Sequence, residues 1–455
     1  MSVIPRAPAT PPAHSPHDPR YYEPRDLEAE LRRTFQICHE CRMCVGYCGS
    51  FPDLFKRIDR DIDSGAAEGA EKLDEADFKA VGDQCWQCKL CYIKCPYTAD
   101  EGASELLDFP RLMSRERAAR AQLDGIPLVD RILGEPQMIG QLGSGPAAPI
   151  ANLVTRNQLL RKVQEKVTGI SASFPLPPMA AQPFSGWLEK HQASLDASPE
   201  ASSRAGELGE VLLFATCYGE YNTPNVVQAA TLVLEHNGYR VRYPGVGVDA
   251  SAQQLTCCGL PNIDGGDVAA AVAKIKHNVA LLLPHVRAGR KILVPAPSCG
   301  MMMKREWREY VPSPEVDEVA AATLDLMEFL VGLGKEKKLK REFKKGLGAV
   351  AYHAACHLRA QKIGFPGMRV LSVIPDTEVR MVEECSAVDG TWGMKAAHYE
   401  TGRKYAGKLT RGIEDAEPDL VVTDCSLSSL RIGQENRVAP LHPIEALARA
   451  YGLID

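Results

Sequence analysis

No uninterrupted apolar run in this sequence approaches the ~18 residues that a membrane-crossing helix requires, and the mean hydropathy is −0.19. A protein built to span the bilayer is excluded on that ground. There is no basic surplus either. The 53 Lys and Arg face 58 Asp and Glu, a formal net charge of −5, and the pI is about 6.2. That removes the compositional case for a nucleic-acid partner. The first 25 residues have no apolar stretch of the secretory type. They are rich in proline (Pro5, Pro8, Pro11, Pro12, Pro16, Pro19, Pro24), so residues 1–25 are expected to form a disordered tail. A G-x-S-x-G elbow, a Walker loop and an H-E-x-x-H motif are all missing. Gly245-x-Gly247-x-x-Ala250 imitates a dinucleotide fingerprint. It is discounted, because no helix start follows it and the acidic residue expected ~20 positions on is absent. The chain is therefore expected to bind no flavin or nicotinamide of its own.

What is present is an ordinary globular composition, 45% hydrophobic and 24% charged over 455 residues. That is material for roughly three domains. It includes 15 cysteines, an odd number. Disulfide frameworks belong to short secreted chains with even counts. Thiolate ligation of metal in a reducing compartment is the better expectation, and it places the chain in the cytoplasm.

Two motifs dominate. Cys38-x2-Cys41-x2-Cys44-x3-Cys48 is followed, after 36 residues, by Cys85-x2-Cys88-x2-Cys91-x3-Cys95-Pro96. The 2-2-3 rhythm lets three thiolates converge on one iron–sulfur cube while the fourth ligates the other cluster. The expected sets are Cys38, Cys41, Cys44 and Cys95 for one [4Fe-4S] cluster, and Cys85, Cys88, Cys91 and Cys48 for the second. Zinc is the competing reading, but zinc sites show two separated pairs rather than two sets of four. Gly49 stands where a proline often follows the fourth cysteine, which changes turn chemistry and not ligation. Apolar residues at helical spacing, such as Leu27, Leu31 and Phe35, predict a small helical domain over residues 26–125.

Residues 126–206 read as a connector. In it Leu159, Leu160, Val163, Val167 and Ile170 form an apolar stripe beside Arg156, Arg161, Lys162 and Lys166. Such a helix can lie on an anionic membrane surface, dock on a partner, or pack on its own protein.

From Glu207 strands alternate with helices, predicting a mostly parallel sheet. Short apolar runs mark strands near 211–216, 291–296, 349–355, 378–383 and 420–424. The punctuation repeats. Cys217, Cys257-Cys258-Gly259 and Cys299 in residues 207–334 are echoed by Cys356, Cys385-Ser386 and Cys425 in residues 347–455. The spacings are 39 and 40 residues in the first unit, and 28 and 38 in the second. The basic run over 335–346 separates the two units and is expected to be a solvated linker helix. Four thiols placed directly after apolar strands would gather at the carboxyl edges of parallel sheets, where ligands bind. The fold class expected is α plus α/β: a helical two-cluster ferredoxin domain, then a duplicated α/β domain.

These motifs resemble the family of iron–sulfur proteins with CCG domains. That family includes iron–sulfur subunits of anaerobic glycerol-3-phosphate dehydrogenase and of glycolate oxidase, and relatives of heterodisulfide reductase. The resemblance spans nearly the whole chain apart from the tail and connector. It implies a helical ferredoxin arrangement and an oxidoreductase component that transfers electrons. It also implies that a complete unit binds an iron–sulfur centre through a lone cysteine, a tandem pair and a terminal C-x-x-C. Here Met302 replaces the last cysteine of the first unit. Cys217, Cys257, Cys258 and Cys299 remain as candidate ligands of a third centre. In the second unit Ser386 and Ser428 replace two more. Cys356, Cys385 and Cys425, with His353 and His357 nearby, could hold zinc, an incomplete cluster, or nothing. His398 and His442 read as core or surface residues.

The expected partners are a flavoprotein dehydrogenase or another redox protein, such as a rubrerythrin-like di-iron protein, and a quinone, with a peripheral contact at the inner face of the cell membrane. The competing functions are a catalytic reductase of a disulfide or related sulfur substrate at the CCG site, and a zinc-binding scaffold.

Overall fold

The computed structural model describes residues 4–249, 253–388 and 390–455. Ala250 of the discounted glycine motif lies outside them. The amino-terminal third is helical. Helix α1 (Pro24–Cys41) starts at a Glu23 cap with proline in its first turn, where a missing N–H costs nothing. It buries Leu27, Leu31 and Phe35 at i, i+4 spacing. It ends where Arg42 turns left-handed (φ 52°) and its N–H closes on the Cys38 carbonyl. Helices α2 (Ser50–Asp63), α3 (Glu75–Asp83), α4 (Leu90–Lys94) and α5 (Phe109–Asp124) follow. Asp74 and Asp77 form a capping box on α3, and Asp108 caps α5. The core of this domain is aromatic. The rings of Phe51 and Phe109 lie 4.7 Å apart, and Phe35 and Phe78 join them. Truncating a phenylalanine in such a core costs about 3–5 kcal/mol.

From residue 4 onward the expected disordered tail is instead packed against the body. Ala13 and Tyr21 are buried. Ser15 Oγ donates to the Glu309 carbonyl at 2.6 Å, and His17 Nε2 donates to the Tyr310 carbonyl at 2.9 Å. Prolines restrict the unfolded chain, so ordering it loses little entropy.

The connector is a string of short helices: α6 (Leu128–Leu133), α7 (Pro136–Gly143), α8 (Ala148–Arg156) and α9 (Gln158–Thr168). The expected amphipathic helix is present but partly inverted. Arg161, expected on a basic face, is buried and donates to the carbonyls of Ser171 and Phe174. Leu159, Val163 and Val167 are 75%, 60% and 65% exposed.

The α/β part holds two all-parallel sheets. The first has the order β2-β1-β3-β4, from β1 (Gly209–Leu213), β2 (Tyr239–Arg242), β3 (Lys291–Val294) and β4 (Thr323–Asp325). Its register pairs Val211 with Val241 and Leu212 with Ile292. The second has the order β6-β5-β7, from β5 (Gly348–His353), β6 (Thr377–Val382) and β7 (Leu420–Thr423). Central strands are apolar on both faces because helices cover both. The edge strand β6 carries exposed Glu378 and Arg380, which discourage pairing with another chain. Strands β2 (Tyr-Arg-Val-Arg) and β4 (Thr-Leu-Asp) are absent from the sequence expectation, because they are only four and three residues long and each has one aliphatic residue. The expected linker helix does not form. A helix ends at Lys335 and the chain then runs irregularly to Gly348. Leu339 is buried and Phe343 stacks on Tyr451 at 4.9 Å, so two apolar anchors pin a segment whose charge alone suggests a solvated helix.

Candidate functional site

The ferredoxin cysteines are gathered by tight backbone. Arg42, Gln87 and Lys89 all have positive φ (52°, 56° and 61°). This is uncommon for residues with a Cβ, and it folds each motif back on itself so that thiols separated by two residues face one space. Cys38, Cys41, Cys44 and Cys95 line one recess, with Ile37, Tyr97 and Leu107. Cys48, Cys85, Cys88 and Cys91 line a second, with Trp86 and Phe109. Each motif thus lends its fourth cysteine to the other's recess. Phe51 lines both and stands between them.

The thiols fit a cationic iron–sulfur core. Burial, and then the neighbouring Cys44, Cys95 and Cys41, hold the Cys38 thiol well above its ordinary range. Cys44 and Cys48 are pushed up to about 12, chiefly by burial. Burial also raises Cys88 and Cys91 strongly. Four soft donors in a dry pocket repel one another as thiolates. A bound positive core reverses that balance.

The first CCG unit builds its group from three loops at the carboxyl ends of strands. Thr216, left-handed at φ 65°, turns the chain after β1 and delivers Cys217. Cys257 and Cys258 precede Gly259 (φ 92°), whose absent Cβ would lie 3.4 Å from Ala271 Cα. Cys299 follows β3 on the helix Pro297–Met301. The tandem pair is anchored from behind. Asn278 Nδ2 donates to the Cys257 carbonyl at 3.1 Å, and Trp307 Nε1 donates to the Cys258 carbonyl at 2.9 Å. Cys217 and Cys258 both hydrogen-bond Cys257. The Cys257 thiol is therefore held far below its usual range, while Cys217 and Cys258 are pushed up. Met302, where the resemblance places a further cysteine, is fully buried in the core.

A cavity of about 260 Å³ opens onto these four cysteines. Ile132, Leu133 and Ile139 of the connector line it, and so does Cys425 of the second unit. Nothing in the sequence pattern announces that the connector supplies this wall.

The second unit's three cysteines are split between two places. Cys356 starts a helix (Cys356–Ala360) that packs on α4, and both it and Cys385 act electrostatically on Cys88. Cys425 instead faces the first unit's cavity. The ring nitrogens of His353 are engaged by Thr423 Oγ1 at 2.8 Å and the Glu384 carbonyl at 3.1 Å. Those of His357 are engaged by Ser298 and Gln87. Burial pushes both histidines down to about 4. Among the described residues, no three His, Cys, Asp or Glu side chains are arranged for a single metal ion. His398 stacks on Trp392 at 4.4 Å. His442 caps the helix Pro443–Tyr451.

Trp392 and Arg117 join the ferredoxin and α/β parts. The indole donates to the Asp83 carbonyl at 2.7 Å, and Trp86 packs edge-on against it. Arg117 reaches the carbonyls of Gly82, Cys85 and Asp264.

Comparison with known proteins agrees with this division. The 4Fe-4S dicluster domain family matches residues 37–100. The cysteine-rich domain family (CCG) matches twice, over 211–304 and 350–432. One subunit of the anaerobic glycerol-3-phosphate dehydrogenase of Escherichia coli (strain K12) is 27% identical over 339 residues, 73% of this chain and 80% of the relative. Lactate utilization protein A of Bacillus thuringiensis (strain Al Hakam) is 25% identical over 253 residues, 52% of this chain and 98% of the relative. The protein of the same name from Bacillus cytotoxicus is 26% identical over 195 residues, 41% of this chain and 75% of the relative.

Proposed function

We propose that this chain, which belongs to the iron–sulfur proteins joining a 4Fe-4S dicluster domain to a repeated cysteine-rich domain, is the electron-transfer subunit of a dehydrogenase. Cys38, Cys41, Cys44 and Cys95 hold one four-iron cluster, and Cys48, Cys85, Cys88 and Cys91 the other. Cys217, Cys257, Cys258 and Cys299 hold a third iron–sulfur centre. Bound clusters of this kind supply reversible one-electron transfer. The chain's own part is to supply thiolates, to exclude water with Phe51, Trp86 and Phe109, and to keep the groups at fixed separations. The observation that carries the reading is the crosswise pair of four-cysteine recesses, packed directly against the cysteine-rich half.

A flavoprotein dehydrogenase is the proposed electron donor, in line with the dehydrogenase to which the glycerol-3-phosphate relative belongs. The proposed acceptor is a quinone in the apolar cavity beside Cys217 and Cys258. Two features support it. The cavity wall is largely aliphatic, as pockets for small apolar ligands are. The same connector exposes Leu153, Leu159, Val163 and Val167 beside Arg156, Lys162 and Lys166, a composition suited to an anionic lipid surface. No helix among the described residues is long and apolar enough to cross a membrane, so this contact would be peripheral, and the proposed location is the inner face of the cell membrane.

A second reading rests on Cys425. It adds a thiol to the cavity wall without joining the four-cysteine group, and would suit attack on a disulfide or related sulfur substrate.

Purification without oxygen tests the proposal. About eight iron atoms and matching sulfide are expected from the ferredoxin part alone, with further iron from the cysteine-rich half. Pale, iron-free protein would sink it, and colourless protein loaded with zinc would replace it with a scaffold. Reduction of a soluble quinone by the pre-reduced protein, against reduction of a disulfide, separates the two acceptor readings.

A further inference from the structure

The second cysteine-rich unit has lost two cysteines, yet one of its side chains touches a loop of the second ferredoxin recess and a loop of the first cysteine-rich unit. His357 lies on the helix Cys356–Ala360 and is buried. Its Nε2 is 3.0 Å from the carbonyl oxygen of Gln87, the residue between Cys85 and Cys88. Its Nδ1 is 2.8 Å from Ser298 Oγ, the residue before Cys299. A carbonyl can only accept, so Nε2 carries the proton, and Nδ1 accepts from the serine hydroxyl. The tautomer is thereby settled by its partners.

The surroundings hold the ring still. Gln361, one turn on, donates to the Pro297 carbonyl at 3.1 Å and to the His357 carbonyl at 3.4 Å. Arg305 donates to the Ala360 carbonyl at 2.9 Å. The same helix packs on α4, which carries Cys91, and on the helix Pro297–Met301, which carries Cys299. One imidazole therefore closes a hydrogen-bonded path from the Cys85–Cys88 loop to the Cys299 loop.

We infer that His357 is a positioning residue that sets the distance and the electronic contact between the recess of Cys48, Cys85, Cys88 and Cys91 and the cysteine group of the first CCG unit. The inference rests on the reading that both sites hold iron–sulfur centres. In the step it serves, one electron leaves one centre and arrives at the other. No covalent bond between heavy atoms forms or breaks. No proton moves, since the Nε2 proton stays on the bond to the Gln87 carbonyl. On this account the degenerate second unit is retained as the joint between two redox sites.

The test compares the full chain, purified anaerobically, with His357→Leu, His357→Gln and Ser298→Ala. Iron content and the midpoint potentials of each paramagnetic signal are measured first. Then the reduced ferredoxin signals are followed by rapid-freeze electron paramagnetic resonance as they equilibrate with the third signal. Removing a residue that orients ligand loops typically costs 10–100-fold, so a fall of about tenfold or more in the equilibration rate is expected for His357→Leu, with the magnetic broadening between the two sites reduced. Ser298→Ala should give a partial loss. His357→Gln should recover most of the rate, because its amide can donate to one partner and accept from the other. Unchanged rates in Ser298→Ala and His357→Leu proteins of full iron content would overturn the inference. If His357→Leu loses iron, Ser298→Ala and His357→Gln decide: equal and normal rates in both again overturn it. A wild-type protein with no third signal would instead defeat the reading beneath it, and the bridge with it.

Discussion

The hydroxyls of Ser386 and Ser428 stand 2.9 Å apart in a buried pair. Both occupy positions where the CCG pattern places thiols. A hydroxyl is a poor ligand for iron–sulfur chemistry, and these two satisfy each other where a cluster edge would otherwise need to sit. Replacing Ser386 by alanine removes one partner of the Ser428 hydroxyl, which keeps the Cys425 thiol as another, so the loss should be about 1 kcal/mol. Replacing both should cost less than the sum of the singles. Urea unfolding of the two singles and the double checks this. Strictly additive losses would mean the hydroxyls do not act as a pair.

The crosswise recesses make a prediction that separates them from a motif-by-motif arrangement. Cys95→Ser should remove the same spectroscopic signal as Cys38→Ser, although the two lie in different motifs. Cys48→Ser should remove the other one, with Cys88→Ser. Each variant should lose up to about four iron atoms. Signals that follow the motifs instead, Cys48 with Cys38 and Cys95 with Cys88, would contradict the recess geometry.

His442 offers a test by pH. Its Nδ1 accepts from the Ile444 N–H at 3.1 Å and its Nε2 donates to the Pro295 carbonyl at 2.8 Å. Burial pushes it down to about 4 from the ordinary 6.5. The unfolded chain therefore takes up a proton before the folded one does. The stability it contributes is present above about 6.5 and is lost as pH falls toward 4, by at most about 1.4 kcal/mol per pH unit. His442→Asn keeps a helix-capping side chain and cannot titrate. Denaturant unfolding between pH 7 and pH 4 should show a shallower acid slope in the variant. Parallel curves would mean that His442 takes up its proton over the same pH range in the folded and unfolded chains.

The connector face can be tested on vesicles. Sedimentation with liposomes containing anionic lipid should carry the wild type down, weakly at high salt because the cations Arg156, Lys162 and Lys166 are exposed and screened. Leu159→Ser, Val163→Ser and Val167→Ser together should abolish it while leaving the fold intact, since all three side chains are exposed. Equal sedimentation of the triple variant would remove the membrane from the proposal and leave a protein partner for that face.

Local chemistry is written in the order of the residues. The 2-2-3 cysteine rhythm, the crosswise placement of each motif's fourth cysteine, the duplicated α/β pattern and most strands are legible there, because the geometry of short cysteine motifs and strand burial act over a few residues and leave a mark on spacing. Short strands such as β2 and β4 leave none. The charge run at 335–346 misleads because Leu339 and Phe343, two residues among many lysines, anchor it. Which separated loops meet is set by packing over long range. Packing turns Arg161 inward to carbonyls formed by a later turn. It brings Cys425 to the first unit's cavity and Cys356 with Cys385 to Cys88, splitting a set that spacing groups together. It also sets His357 between Gln87 and Ser298. Contacts of this kind depend on how two sheets and a helical domain close on one another, and no window of sequence records that.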